Sequence, residues 1–218
     1  MGEPVILYGK SGSGKTCSLR NFMEDEIFLI NVADKRMPFR KKFKYTTIAD
    51  DAKSIIKYIK AMPKQVETVK AYVIDDYGFS MMNYFMREHS KGRKGSQVYD
   101  MYNEIGDSVF DLIECIKHDI PNDIIVYIIM HEDLADDGNY KLRTVGRLCD
   151  EKVGLEGRVT ICVRCINHGG EHKFLTNNDS GIGKSPMDML PQEMDNDLKQ
   201  VDVMIREYYD IAYKKEED

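Results

Sequence analysis

The stretch that decides the fold runs Pro4-Val5-Ile6-Leu7-Tyr8-Gly9-Lys10-Ser11-Gly12-Ser13-Gly14-Lys15-Thr16. Its first five residues are apolar or aromatic and read as a short buried strand running into glycines. Gly9 to Thr16 then fits G-x-x-x-x-G-K-[ST]. In that pattern the glycines let the backbone wind until successive N–H groups point inward at an anion. From about Lys15 a helix is expected, with Leu19, Phe22 and Met23 on one face and its N-terminus adding to the cradle. Gly9, Lys10, Ser11, Gly12, Ser13, Gly14, Lys15, Thr16 and Cys17 are therefore the expected cofactor-binding loop. Lys15 would reach the β and γ phosphates of ATP, and the Thr16 hydroxyl would sit on Mg²⁺.

Working outward, the next chemistry lies at the ends of apolar runs. Ala71 to Ile74 reads as a strand ending in Asp75 and Asp76. A carboxylate there can hold Mg²⁺ or its water shell, which makes Asp75 the expected metal-side group beside Thr16. Hydrolysis also needs a group that orients or deprotonates water. Asp76 and Asp34 both qualify, Asp34 because it ends the second strand in Phe28-Leu29-Ile30-Asn31-Val32-Ala33-Asp34, and ligands sit beyond the carboxyl ends of parallel strands. His131 closes the run Ile124 to Met130 and could reach the γ-phosphate or the attacking water.

The remaining chain supplies helices and a hairpin. Helices are expected over Thr47 to Met62, Phe79 to Glu88 and a longer segment in which Val98, Met101, Ile105, Val109, Leu112, Ile113 and Ile116 keep one face. Arg158 to Ile166 and Lys173 to Thr176 read as a hairpin turning at Gly169-Gly170. Residues 177–186 are polar and Gly-rich, and a last helix is expected from Asp195 to Tyr213. Four apolar strands separated by helices imply an α/β fold with a mostly parallel sheet flanked by helices, extended by a C-terminal antiparallel hairpin. No linker or repeat divides the 218 residues, so a single domain over 1–218 is expected.

Composition narrows the function classes. The net charge of −6 argues against a surface coated in basic residues, while leaving room for local basic grooves. No apolar run is long enough to span a membrane, and no signal peptide is apparent, so a cytoplasmic location is expected. Five irregularly spaced cysteines do not make a disulfide framework. Within Cys162-Val163-Arg164-Cys165, residues three apart on a strand point to opposite faces, which reads as buried thiols rather than a zinc site.

Taken together, these strand ends resemble those of the RecA-like ATPases: a phosphate loop, an acidic tip on the second strand, an Asp-ended third strand and a polar tip on the fourth. That family carries a glutamate where Asp34 stands here, a difference that bears on hydrolysis more than on binding. A closer resemblance is to the short ATP-binding proteins of tailed phages related to RecA-like single-strand annealing proteins. It is carried by Ile30-Asn31-Val32 with Lys35 and Pro38-Phe39-Arg40, and by Thr144-Val145-Gly146-Arg147-Leu148 with Glu151-Lys152. Leu155-Glu156-Gly157, Lys184-Ser185-Pro186-Met187 and Asn196-Asp197-Leu198 complete it. The resemblance implies a RecA-like P-loop core, DNA recombination or replication in the cytoplasm of a phage-infected host, and a homo-oligomer in which Lys184 completes a neighbour's ATP site in trans. Single-stranded DNA would meet the basic segment 35–44 (Lys35, Arg36, Arg40, Lys41, Lys42, Lys44) and the loop 87–94 (Arg87, Lys91, Arg93, Lys94). Tyr45 and Tyr99 are placed to stack on bases, and Tyr102 reads as core. A non-hydrolysing ATP-gated switch and a small-molecule kinase are the alternatives.

Overall fold

The computed structural model describes residues 1–177 and 181–211. Strand β1 (Glu3–Gly9) carries the glycine loop at its end. The other strands are β2 (Ile27–Asn31), β3 (Tyr45–Ile48), β4 (Ala71–Asp75), β5 (Ile125–Leu134), β6 (Tyr140–Leu142), β7 (Ile161–His168), β8 (Glu171–Leu175) and β9 (Glu193–Asp195). Among the described residues they form one sheet in the order β3-β2-β4-β5-β1-β7-β8-β9, with β6 paired to the far end of β5. Strands β3 through β7 along that order run parallel, β8 pairs antiparallel with β7, and β9 pairs antiparallel with β8. The strand ends at Gly9, Asn31, Asp75 and His131 therefore meet along one edge of the sheet.

The central strands β1, β2 and β4, with β5 as far as Met130, are buried on both faces, so they read as near-continuous apolar runs rather than alternating with polar residues. Ile6 and Tyr8 of β1 face one core with Val126, Ile128 and Met130 of β5. Helices α1 (Ala52–Gln65), α2 (Gly78–His89) and α3 (Ser96–Asp119) cover that face. Val5 and Leu7 face the other core with Tyr127 and Ile129, beneath α4 (Leu198–Tyr208). Asp197 caps α4 by accepting from Lys199 N and Gln200 N, and Leu198, Val201 and Ile205 bury its inner face.

At the amino ends of the strands α4 is fastened by charge. Asp202 accepts from Tyr127 OH and from Arg206 Nε, each at 2.9 Å. The Arg206 guanidinium also donates to Asp123 O at 3.0 Å and Lys70 O at 2.8 Å. No described helix is long and apolar enough to cross a membrane.

Several elements differ from the sequence reading. The helix expected after the glycine loop is a six-residue 3₁₀ stretch, Thr16–Asn21. The Ser18 hydroxyl donates to Lys15 O at 2.6 Å, a side-chain bond that competes with α-helical pairing, and Phe22 is already extended. Leu19 and Phe22 are buried as expected, whereas Met23 is exposed. The helix expected from Thr47 begins at Ala52, because Tyr45-Thr46-Thr47-Ile48 pairs with β2 as an edge strand and Asp51 caps α1 by accepting from Ser54 N at 2.9 Å. The expected hairpin exists, but its first strand, β7, is also a parallel neighbour of β1. The last helix starts at Leu198 and ends at Tyr208, and Tyr213, its expected end, lies outside the described residues. Cys162 packs into the core under α1–α3 and Cys165 into the core under α4, on opposite faces of the sheet.

Candidate functional site

The loop 9–16 is pinned against β7 and β8. A Cβ on Gly9 would lie 2.3 Å from the Cys165 carbonyl oxygen, so only glycine permits this approach of the two strands. Gly14 has φ +99°, and a Cβ there would lie 2.8 Å from His172 Nδ1. Ser13 O accepts from Cys165 Sγ at 2.9 Å and from His172 Nδ1 at 2.8 Å, while Asn196 Nδ2 donates to Cys165 Sγ at 3.0 Å. Nothing in the sequence pattern flags His172 or Asn196 as supports for the loop. Their partners are distant in sequence, and only the sheet order brings them together.

Lys15 is buried, and its Nζ donates to Gly9 O and Lys10 O, each at 2.8 Å. Burial lowers its pKa, against the nearby charges of Asp76 and Asp75. Thr16 Oγ1 donates to Asp75, 3.0 Å from Oδ1 and 3.1 Å from Oδ2. Burial and the adjacent Asp76 push the Asp75 pKa up to about 7, with the Thr16 bond and Lys15 opposing. At Asp76 burial also disfavours the charge. Hydrogen bonds from His131 and Lys35 outweigh that burial and pull its pKa to about 2. Neighbouring carboxylates are thus driven apart, a pattern common at functional sites.

Asp76 sits in left-handed backbone at φ +62°, a conformation Asp tolerates better than most residues. Its Oδ2 is 2.7 Å from Lys35 Nζ and its Oδ1 is 3.1 Å from His131 Nε2. The other ring nitrogen, His131 Nδ1, faces Lys15 Nζ at 3.5 Å. A neutral imidazole accepts from Lys15 at Nδ1 only if Nε2 carries the hydrogen, which then points at Asp76. The ring of Phe79 stands edge-on to His131 with centroids 6.0 Å apart, and Lys35 Nζ lies 4.6 Å over the same ring.

Two adjoining cavities open here. One, of about 290 Å³, includes Gly12, Gly14, Lys15, Thr16, Asp75 and Asp76 in its wall. The other, of about 320 Å³, is walled by Lys10, Phe79, Met82, Arg143 and Val145, and both share Ser11, Lys35 and His131. Behind them Arg164 holds Glu132 by two bonds of 2.8 and 3.0 Å and stacks on Tyr140.

The chemistry of this edge fits a magnesium triphosphate. Gly12 at φ +79° and Gly14 leave the loop free of side-chain bulk, and the Ser13 hydroxyl is buried with no hydrogen-bond partner among the described residues. Among those residues no group of three or more His, Cys, Asp or Glu is disposed to hold a metal. Thr16 with Asp75 instead matches Mg²⁺, which takes one or two carboxylates and the rest of its shell from phosphates and water. Because the following helix is a single short 3₁₀ stretch, its dipole adds little.

Other expected site residues fall elsewhere. Asp34 is exposed, at φ +50°, and outside the wall of either cavity. Lys184 bridges Cys162 by backbone bonds of 2.8 and 2.9 Å, three residues below the level of Gly9 in the sheet. In the segment 35–44, Lys41 is held by the Arg20 and Phe22 carbonyls and Arg40 and Lys42 are exposed, whereas Arg36, also exposed, stays at the site in the wall of the 290 Å³ cavity. In the loop 87–94 the cations are largely paired: Arg87 with Asp50, Lys91 with Glu88, and Arg93 with Glu88 and Glu104. Tyr99 is exposed, and Tyr102 packs against the core. No protein-family model matches the chain, and no curated protein sequence is significantly similar to it.

Proposed function

We propose that this chain is a RecA-like ATPase that binds Mg-ATP on the loop 9–16 and couples it to single-stranded DNA binding, acting as a homo-oligomer. The observation that carries the nucleotide reading is the meeting of Thr16 with Asp75 across 59 positions of sequence, beside the buried Lys15. A chance Gly/Ser turn has no reason to place its terminal hydroxyl on a carboxylate at a neighbouring strand tip. Mg²⁺, when bound, supplies charge neutralisation on the phosphates. The chain's own part is positional: the loop holds the phosphates, Lys15 turns from the Gly9 and Lys10 carbonyls toward them, and Asp75 and Thr16 face the metal. For DNA, the exposed cations Arg36, Arg40 and Lys42 are better supports than the paired loop 87–94.

Calorimetry with Mg-ATP tests the core claim. Wild-type protein binds, and Lys15→Ala abolishes binding; equal affinity in the two proteins would sink it. A gel shift of labelled single strands, with an ATP analogue at low salt, tests the DNA arm.

One observation favours the switch reading over hydrolysis. A general base works best with a pKa near the working pH, and Asp76, held near 2, is a poor proton acceptor. Asp34 lies outside both cavities. Asp76 is better suited to orient His131 than to take a proton itself. Phosphate release measured with and without single-stranded DNA separates the two readings: stimulation supports the ATPase, and binding without turnover supports the switch.

A further inference from the structure

The sequence groups Lys35 with the basic segment 35–44, whose expected partner is DNA. Its place in the fold sets it apart from its neighbours. Its backbone is clamped to the tip of β2: Asn31 Nδ2 donates to Lys35 O at 2.7 Å, and Lys35 N donates to Asn31 Oδ1 at 3.2 Å. Asn31 is itself buried, so the clamp is stiff. The side chain runs over the face of Phe79 and ends on Asp76. It lies at the seam between the two cavities, contributing to the wall of both. A triphosphate seated on Lys15 and Thr16 would point its terminal phosphate at that seam, where Lys15, His131 and Lys35 converge.

Resting on the nucleotide reading above, we infer that Lys35 is a second γ-phosphate cation supplied in cis, docked on Asp76 until a triphosphate arrives. The exchange is chemically balanced. The terminal phosphate presents more negative charge than one carboxylate, and an ammonium on a four-carbon stem can pivot to it. Asp76 is not left alone, because His131 stays on its other oxygen. A diphosphate ends short of the seam, so Lys35 then remains on Asp76. The residue therefore distinguishes ATP from ADP, and it does so at the first position of the basic segment that follows.

The test is calorimetry of the full chain with Mg-ATP and Mg-ADP, for wild type, Lys35→Ala, Lys35→Arg and Lys57→Ala, with circular dichroism melts to verify folding. Lys35→Ala is expected to weaken ATP by about 10- to 100-fold, the range of a hydrogen bond to a charged group, and to leave ADP within about twofold. Lys35→Arg recovers most of the loss, and Lys57→Ala, on the exposed side of α1, binds both nucleotides as wild type does. Wild-type binding with ATP affinity unchanged in Lys35→Ala, or with ATP and ADP weakened equally, overturns the inference and leaves the nucleotide reading standing. Wild-type protein that binds neither nucleotide overturns both.

Discussion

Two buried charge clusters close opposite ends of the same parallel strands, and they are built differently. At the amino ends Asp202 has donors on both oxygens, and Arg206 is shared between it and two carbonyls. At the carboxyl ends two carboxylates stand side by side, Lys15 is folded back onto its own loop, the Ser13 hydroxyl has no partner among the described residues, and Asp76 is in left-handed backbone. A closed network fastens α4 to the sheet and has nothing further to gain from a ligand. An open one, with mismatched donors and acceptors, is improved by a partner that matches its charges. The amino edge fastens the fold, and the proposed nucleotide site lies at the carboxyl edge.

The largest effect should come from breaking the fastener. Asp202→Ala removes the carboxylate that neutralises Arg206 in a fully buried position, and is expected to cost about 3–5 kcal/mol in urea unfolding. Nucleotide affinity of the folded protein should not change. A loss below about 1 kcal/mol, the scale of a surface pair, would mean that the amino end is no fastener.

At the other end the sign reverses. Folding raises the Asp75 pKa to about 7, so between about pH 4 and pH 7 the folded state holds a proton that the unfolded chain has released. The nucleotide-free fold therefore loses stability as pH rises through that window. Asp76 works oppositely: its contribution is present above about pH 4 and lost as pH falls toward 2. Asp75→Asn carries no charge to bury. It should match wild type near pH 4 and exceed it at pH 8 by up to about 4 kcal/mol, while binding Mg-ATP more weakly. Thermal melts across pH with metal and nucleotide absent decide this. A wild-type curve flat from pH 4 to 8 would remove the frustration argued for Asp75.

The open end was largely legible in the sequence, and the closed end was not. Gly9 to Thr16, Asp75, Asp76 and His131 could be placed at one edge because each closes or directly follows an apolar run, and parallel strands bring such tips together. The Asp202–Arg206 spacing is visible along a helix, but its meeting with Tyr127, Asp123 and Lys70 is a product of packing. Lys35 was legible as a charge and not as a partner of Asp76, because a run of cations does not say which one turns inward. Asp34 was expected to end the second strand, but that strand stops at Asn31, and Asp34 lies exposed three residues beyond it in left-handed backbone. Tyr45 to Ile48 hid as a strand because four residues carry too little periodicity to outweigh the helical pattern that follows.

The smallest effects give the sharpest form of the comparison, because the same deletion can be made at both ends. Tyr127→Phe removes a hydroxyl that donates to a buried carboxylate and should cost about 1.5–3 kcal/mol. Ser13→Ala removes a buried hydroxyl that has no partner among the described residues, so the nucleotide-free protein should be unchanged or gain up to about 1 kcal/mol. If that hydroxyl is satisfied only when phosphate arrives, Ser13→Ala should also weaken Mg-ATP by about 3- to 10-fold, whereas Tyr127→Phe leaves it unchanged. Opposite signs in stability, with the affinity loss confined to Ser13, are what an open and a closed end require. Equal destabilisation by the two variants would mean that the loop hydroxyl is already bonded, through ordered water, before any nucleotide binds. The carboxyl end would then be as closed as the amino end, and the ligand would have to displace that water rather than complete the site.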